Sequence, residues 1–205
     1  MFTGRTLAEG IWPIAILAIL AGVGIYFRCW TTTAIILALL AFVVSFFRDP
    51  DRRSPTDPQL IVAPADGRIV EIKPAGTGTM VAIFLSVFNV HVQRAPVAGE
   101  IKTVRYTKGK FLDARDPQAG PLNENRSVVL ESADGFRVEV RQIAGLIARR
   151  IVGWAGEGDR VFKGDRIGMI RFGSRVELYL PADVEILAQI GQTAKGGETV
   201  VARRK

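Results

Sequence analysis

Arg166-Ile167-Gly168-Met169-Ile170-Arg171-Phe172-Gly173-Ser174-Arg175-Val176-Glu177-Leu178-Tyr179-Leu180 reads as two strands, 166–172 and 176–180, meeting at a Gly-Ser pair. The second strand alternates apolar and polar residues from Val176 to Leu180. Such a pair predicts a tight hairpin, because glycine takes a positive φ at no steric cost. A turn of that kind can hold the Ser174 hydroxyl close to the Gly173 carbonyl and strain the bond between them. Attack of Ser174 on that carbonyl would give an ester, and elimination followed by loss of ammonia would leave a pyruvoyl group on the new N-terminus. The same two residues also suit a plain hairpin turn.

Outward from this stretch, short β-rich runs at 60–63, 68–73, 79–87, 100–106, 127–131 and 136–143 are divided by glycine turns, while 146–152 suits a strand or a short helix. A loop rich in Asp, Asn, Pro and Gly covers 108–126. The expectation is a mainly β domain. Recurring phrases such as Ala65-Asp66-Gly67-Arg68-Ile69, Ala98-Gly99-Glu100-Ile101, Lys163-Gly164-Asp165-Arg166-Ile167 and Gly196-Gly197-Glu198-Thr199-Val200 suit a barrel-sandwich-like fold of the kind seen in biotinyl and lipoyl domains. That analogy carries no function. It does supply a rival reading, a non-enzymatic membrane-anchored adaptor with a lipoyl-like barrel, which would want a modifiable lysine where the predicted tip carries Gly173-Ser174.

The first part of the chain is different in kind. Residues 11–27 and 30–47 are apolar runs without a charge, separated by Arg28 and Cys29, and each approaches the length that spans a bilayer as a helix. Trp12, Tyr26 and Trp30 lie near their ends, where interfacial aromatics belong. The pattern predicts a two-helix membrane hairpin, and the second run argues against a cleaved secretory signal. A shallow hairpin within one leaflet stays open, since the connection is short. Arg5 on one side and Arg48, Arg52 and Arg53 on the other outweigh Arg28 between the runs, which places both ends in the cytoplasm of a cell-membrane protein. Residues 48–58 are polar and proline-punctuated, so the expected division is an anchor and linker at 1–57 and a catalytic domain at 58–205.

The net charge of +7 splits into five Arg against three acids in residues 1–55 and 22 bases against 17 acids after them. A basic body favours anionic lipid head groups. No clustered aromatic and basic motif points to nucleic acid. One cysteine, Cys29, excludes an intrachain disulfide and a zinc constellation. One histidine, His91, means that any imidazole chemistry uses it.

A self-cleaving serine needs a base, and a buried base is commonly held by a carboxylate. Asp66, His91 and Ser174 can supply that set, although Asp66-Gly67 is equally a standard turn and a lone histidine is often structural. Four stretches then change the reading: Pro64-Ala65-Asp66-Gly67, Asn89-Val90-His91-Val92-Gln93-Arg94-Ala95-Pro96, Ile143-Ala144-Gly145-Leu146-Ile147-Ala148-Arg149-Arg150 and Phe172-Gly173-Ser174-Arg175. In this order they resemble the phosphatidylserine decarboxylase proenzymes of the short bacterial and archaeal type, over about residues 60–201.

The resemblance implies that Ser174 becomes the pyruvoyl group, that cleavage falls between Gly173 and Ser174, and that a β chain 1–173 and an α chain 174–205 result. It implies a pyruvoyl-dependent carboxy-lyase that converts phosphatidylserine to phosphatidylethanolamine and CO2 through a Schiff base, with no metal and no pyridoxal phosphate. Asp66 and His91 match the family's Asp and His motifs. Longer members carry a second histidine three residues on, where this chain has Arg94. His91 is then the acid that protonates the product, and whether it serves self-cleavage as well stays open. Asn123 and Asn125, in the polar cluster Asn123-Glu124-Asn125-Arg126, resemble a segment that could bind the head group, and Arg149 and Arg150 could meet lipid phosphate. The partners implied are phosphatidylserine in the membrane and the protein's own two chains, with a homo-oligomer left open. A related pyruvoyl decarboxylase acting on an ether-lipid serine or a small amino acid is the enzymatic alternative.

Overall fold

In a bilayer a chain has to satisfy its own backbone, and helices do so. In the computed structural model, which describes residues 3–116, 118–146, 150–171 and 173–205, the two apolar runs form α1 (Gly4–Tyr26) and α2 (Trp30–Phe46). The first helix starts ahead of its apolar run because Thr3 caps it. The Thr3 hydroxyl accepts from the Thr6 N–H while the Thr6 hydroxyl oxygen accepts from the Thr3 N–H. At 23 residues and a mean hydropathy of 1.9, α1 is long and apolar enough to cross a membrane, and α2 is shorter at 17. Arg28 takes a left-handed φ of 55° in the connection, and α2 folds back on α1.

The chain divides into two compact units, Met1–Asp51 and Arg52–Lys205. The division falls ahead of the 57/58 boundary expected from composition, because residues 52–54 are tied down. The Arg52 guanidinium meets Asp66, the Arg53 N–H donates to Glu198, and the Ser54 hydroxyl donates to the Gly197 carbonyl at 2.6 Å.

The second unit is mainly β. Its elements run β1 (Leu60–Val62), β2 (Gly67–Ala75), β3 (Gly78–Leu85), β4 (Val92–Arg94), β5 (Gly99–Thr107), the single-turn α3 (Ala119–Leu122), β6 (Asn125–Glu131), β7 (Arg137–Ile143), β8 (Ile151–Gly153), β9 (Arg160–Val161), β10 (Arg166–Ile170), β11 (Ser174–Leu180), β12 (Val184–Ile186), β13 (Thr193–Ala194) and β14 (Val200–Arg204). Eight strands form one curled sheet in the order β13-β2-β3-β11-β7-β6-β5-β9, a half-barrel, with β4-β10-β8 and β1-β14-β12 as three-stranded sheets. Val176, Leu178 and Leu180 alternate from β11 into a core shared with Val81, Ile83 and Leu85 of β3. Burial of each such side chain contributes roughly 1.5–3 kcal/mol.

The Gly-Ser junction is not the tip of a hairpin. β10 pairs with β4 and β8, whereas β11 pairs with β3 and β7, so the strands on either side of Gly173-Ser174 lie in different sheets. Both edges of each strand are already occupied by other partners, and the burial of β11 on both faces marks it as a central strand. β10 and β11, consecutive in the chain, therefore belong to different sheets. Phe172, and Ile147, Ala148 and Arg149 of the third motif, lie outside the described residues.

Candidate active site

Ser174 opens β11 opposite Leu85 of β3 and is fully buried. Strand alternation puts it with Val176 and Leu178 on the core face, and puts Arg175, Glu177 and Tyr179 on the other. On that outer face Arg175 pairs with Glu71 and Glu177, and the Tyr179 hydroxyl donates to Glu177 at 2.6 Å. Burial first, and then this bond to Glu177, push the Tyr179 phenol well above its ordinary pKa, so it stays a donor. No such network reaches Ser174. Its Oγ has no hydrogen-bond partner among the described residues. Leaving a buried hydroxyl unpaired costs about 1–3 kcal/mol, which folding alone gives no reason to retain.

The Gly173 carbonyl lies against Gly145, just past the end of β7. A Cβ at Gly145 would sit 2.2 Å from the Gly173 oxygen, so only glycine allows this approach. Gly145→Ala is therefore expected to displace the junction, with a cost of about 1–3 kcal/mol and slower cleavage. Denaturant unfolding and a time course of chain cutting would check it, and an unchanged rate and stability would contradict the packing.

His91 is positioned by the turn that follows β3. The Asn89 side-chain oxygen accepts from the Ser86 N–H and hydroxyl, both at 2.8 Å, and the Asn89 N–H donates to the Ser86 carbonyl at 2.9 Å. The Asn89 carbonyl then meets His91 Nδ1 at 3.0 Å. A carbonyl only accepts, so Nδ1 carries the proton of the neutral ring and Nε2 carries the lone pair. The His91 carbonyl accepts from the N–H of Ile170 at 3.2 Å, at the end of β10. His91 thus stands where the chain leaves β10 on its way to Ser174.

Asp66 is held differently from the sequence expectation of a carboxylate behind the histidine. Its two oxygens take the Arg52 guanidinium at 2.9 and 2.7 Å, and Oδ1 also accepts from the Gly196 N–H at 2.8 Å. Both Arg52 bonds come from the one nitrogen Nη2, while Nη1 reaches Glu198 at 3.5 Å, so a charged guanidinium close in sequence takes the carboxylate. Asp66→Asn is expected to lower stability by about 1–2 kcal/mol and to slow cleavage in proportion, since the nearly buried Arg52 then keeps only the longer pair to Glu198 at 3.5 Å as its counter-charge. Lost cleavage at an unchanged Tm would instead give the carboxylate a direct part in proton transfer.

A cavity of about 490 Å³ opens beside Gly173, with Phe84, Val87, Ala114 and Leu146 as apolar walls. Arg115 and Asp113 form a charge pair at its edge, and the Arg115 side chain and N–H hold the Asp113 carboxyl down at about 2. The pair's contribution to stability is present above the ordinary carboxylate range and is lost only as the pH falls toward 2. Two larger cavities, of about 610 and 650 Å³, flank Phe162 and contain none of these residues.

A family model described as Phosphatidylserine decarboxylase matches residues 39–202. The chain is 48% identical over 178 residues to a phosphatidylserine decarboxylase proenzyme of Geobacter sulfurreducens, covering 84% of this chain and 82% of the relative. It is 51% identical over 175 residues to that of Trichlorobacter lovleyi, covering 83% and 80%, and 43% identical over 204 residues to that of Symbiobacterium thermophilum, covering 96% and 95%. The chain belongs to the phosphatidylserine decarboxylase family.

Within this family member the remaining sequence candidates divide. The buried Asn123 amide is fully engaged with main chain: it donates to the Leu112 and Ala144 carbonyls at 2.9 and 2.8 Å and accepts from the Leu112 N–H at 2.8 Å. It anchors the 110–124 loop to the residue before Gly145. Asn125 donates to the Asn123 carbonyl at 2.9 Å and lines a separate cavity of about 270 Å³. Arg94 is buried, with its N–H on the Pro64 carbonyl and its guanidinium on the Gly164 carbonyl. Among the described residues no three His, Cys, Asp or Glu side chains could hold a metal ion. The sequence reading gave no role to Asn89, which holds His91, to Arg52, which holds Asp66, or to the buried amides Gln93 and Gln142. Gln142 carried a signal, because it occupies a core-facing position in the alternation Val138, Val140, Gln142.

Proposed function

We propose that this protein is a membrane-anchored, self-cleaving phosphatidylserine decarboxylase that releases CO2 from phosphatidylserine and leaves phosphatidylethanolamine. The observation that carries the proposal is the buried, unpartnered Ser174 hydroxyl at a junction whose preceding carbonyl is pressed against Gly145. Family membership and relatives named as proenzymes support it.

In maturation His91 Nε2 takes the proton of Ser174 Oγ, which attacks the Gly173 carbonyl carbon and displaces the peptide nitrogen. Loss of the Ser174 Cα proton then expels Gly173 as a carboxylate, and water replaces the nitrogen, which leaves as ammonia. One water enters and one ammonia departs, and the chain becomes β (1–173) and α (174–205). A pyruvoyl group has no hydrogen-bond donor and so fits a position where Ser174 donates to nothing among the described residues. When formed, it supplies the carbonyl that captures the substrate amine and accepts the electrons released with CO2. His91 is the acid that returns a proton to the carbon that lost CO2, and the cavity beside Gly173 offers apolar walls to the substrate. After the cut, β11 stays paired with β3 and β7, and Arg175 on Glu71 and Glu177 anchors its new end.

The helical part, residues 1–57 with its linker, serves as the anchor. Arg5, Arg48 and Arg53 against Arg28 put the catalytic domain on the cytoplasmic side, and Arg52 adds little to that balance because Asp66 neutralises it. Assays on phosphatidylserine vesicles, an ether-lipid serine and free serine would test the substrate. Equimolar phosphatidylethanolamine and CO2 from the vesicles is the expected result, and a comparable kcat/KM on free serine would overturn the lipid assignment.

A further inference from the structure

Arg126, Gln142 and Gln93 are polar residues in the core of the second unit, at 6%, 0% and 0% exposure, and none has a place in the chemistry above. Arg126 and Gln142 are directly paired across β6 and β7, and Gln142 is paired in turn with Val176, two residues along β11 from Ser174 on the same face. Arg126 has no carboxylate partner among the described residues. Its guanidinium donates to the Gln142 side-chain oxygen at 2.8 Å and to the Ala155 and Ile167 carbonyls, and burial lowers its pKa from the ordinary arginine value. Gln142 Nε2 donates to Gln93 Oε1 at 2.8 Å, and Gln93 Nε2 donates to the His91 carbonyl at 2.8 Å.

The direction of this chain is not free. An arginine only donates, so Gln142 must turn its oxygen to Arg126 and its amide nitrogen to Gln93, and Gln93 must then turn its nitrogen to His91. Space is reserved for it by two glycines paired across β8 and β10. A Cβ at Gly153 would lie 2.6 Å from Arg126 Cζ, and one at Gly168 would lie 2.8 Å from Gln142 Nε2. The relay also crosses between sheets. Arg126 and Gln142 stand in the large sheet that carries Ser174, whereas Gln93 and the residues after His91 stand in the β4-β10-β8 sheet.

We infer that Arg126, Gln142 and Gln93 form a one-way hydrogen-bond relay that positions His91 against Ser174 across the two sheets. They are positioning residues, acting through the His91 main chain, and the inference rests on the reading of Ser174 and His91 as the reacting pair. A fully satisfied buried network of this kind fixes one arrangement of the groups it joins, and misplacement of a reacting group by 1 Å can cost on the order of 100-fold in rate.

Gln142→Glu separates this role from general stability. A carboxylate at 142 pairs with the buried Arg126 and keeps the fold, but it only accepts, so Gln93 must reverse and release the His91 carbonyl. Arg126→Lys keeps a donor at the head of the relay and its direction. Gln93→Met keeps length and removes the last donor. Cleavage rate and Tm are measured for the full-length parent and the three variants, with kcat and KM on phosphatidylserine vesicles for the matured fractions. The expected result is cleavage slowed at least about tenfold in Gln142→Glu and Gln93→Met, near-parental cleavage in Arg126→Lys, and losses in kcat rather than KM. Parental cleavage in Gln142→Glu, or rates that follow Tm across all three variants, would overturn the relay. A parent that does not cut at Ser174 would instead remove the function proposed above, so the two failures are distinct.

Discussion

Ser174→Ala is expected to yield a single uncut chain and to lower phosphatidylserine decarboxylation by more than about 10³-fold, because in the proposed mechanism one residue supplies both the nucleophile of the cut, its Oγ, and the carbon of the reacting carbonyl, its Cα. The fold should not suffer. Ser174 Oγ has no hydrogen-bond partner among the described residues, so replacing the hydroxyl by a methyl group removes an unpaired polar atom from a buried position. The expected change in stability is therefore a gain of about 1 kcal/mol, or roughly 2–4 °C in Tm for a chain of this size, relative to the uncut parent. Electrophoresis, thermal unfolding and product release from lipid vesicles measure the three parts separately. Residual decarboxylation near the parental rate would remove Ser174 from the chemistry, and a collapse in Tm would show that its hydroxyl has a structural partner.

His91→Ala is the second large effect. His91 is the one histidine of the chain, and the Asn89 carbonyl holds its ring in the tautomer that leaves Nε2 to act as base. General acid-base catalysis by a positioned imidazole contributes about 10²–10⁴-fold, so chain cutting should slow by that range, and decarboxylation by whatever fraction matures should fall as well. Removing a buried ring also leaves a cavity, so Tm is expected to drop. Measuring cut fraction against time separates the two effects, since a folded but uncut protein has lost the base and not the fold. Normal cutting with lost decarboxylation would confine His91 to the second reaction and assign the first to another group.

Much of this is legible in the sequence. The β strands around 69–85, 101–106 and 128–143 follow from alternation and glycine punctuation, and the two apolar runs follow from their length. The motif order also sufficed to name the family. The short strands β4 and β12 were not legible, and 146–152, which runs into β8, stayed open between strand and helix, because so few residues carry too little periodicity to decide. The hairpin at Gly173-Ser174 was misread for a related reason: a Gly-Ser pair describes what the local backbone permits, whereas β3 and β7, distant in sequence, took the edges of β11. Asp66 shows the same limit at the site. Chain spacing allowed it to stand behind His91, but Arg52, which composition assigned to a linker, reached it first. Gln93 and Arg126 are ordinary strand residues in one dimension, and although the alternation marks Gln142 as core-facing, its partner across the sheets is encoded by no local pattern.

The central claim is that Ser174 cuts the chain before itself and is converted in the process. Intact mass spectrometry of the detergent-solubilised full-length protein tests it most directly. The account predicts two chains, residues 1–173 with a free carboxylate at Gly173 and a fragment beginning at position 174 that is lighter by one ammonia than the corresponding serine-started peptide. A single chain of 205 residues with Ser174 unmodified, in a preparation that decarboxylates phosphatidylserine, would contradict it.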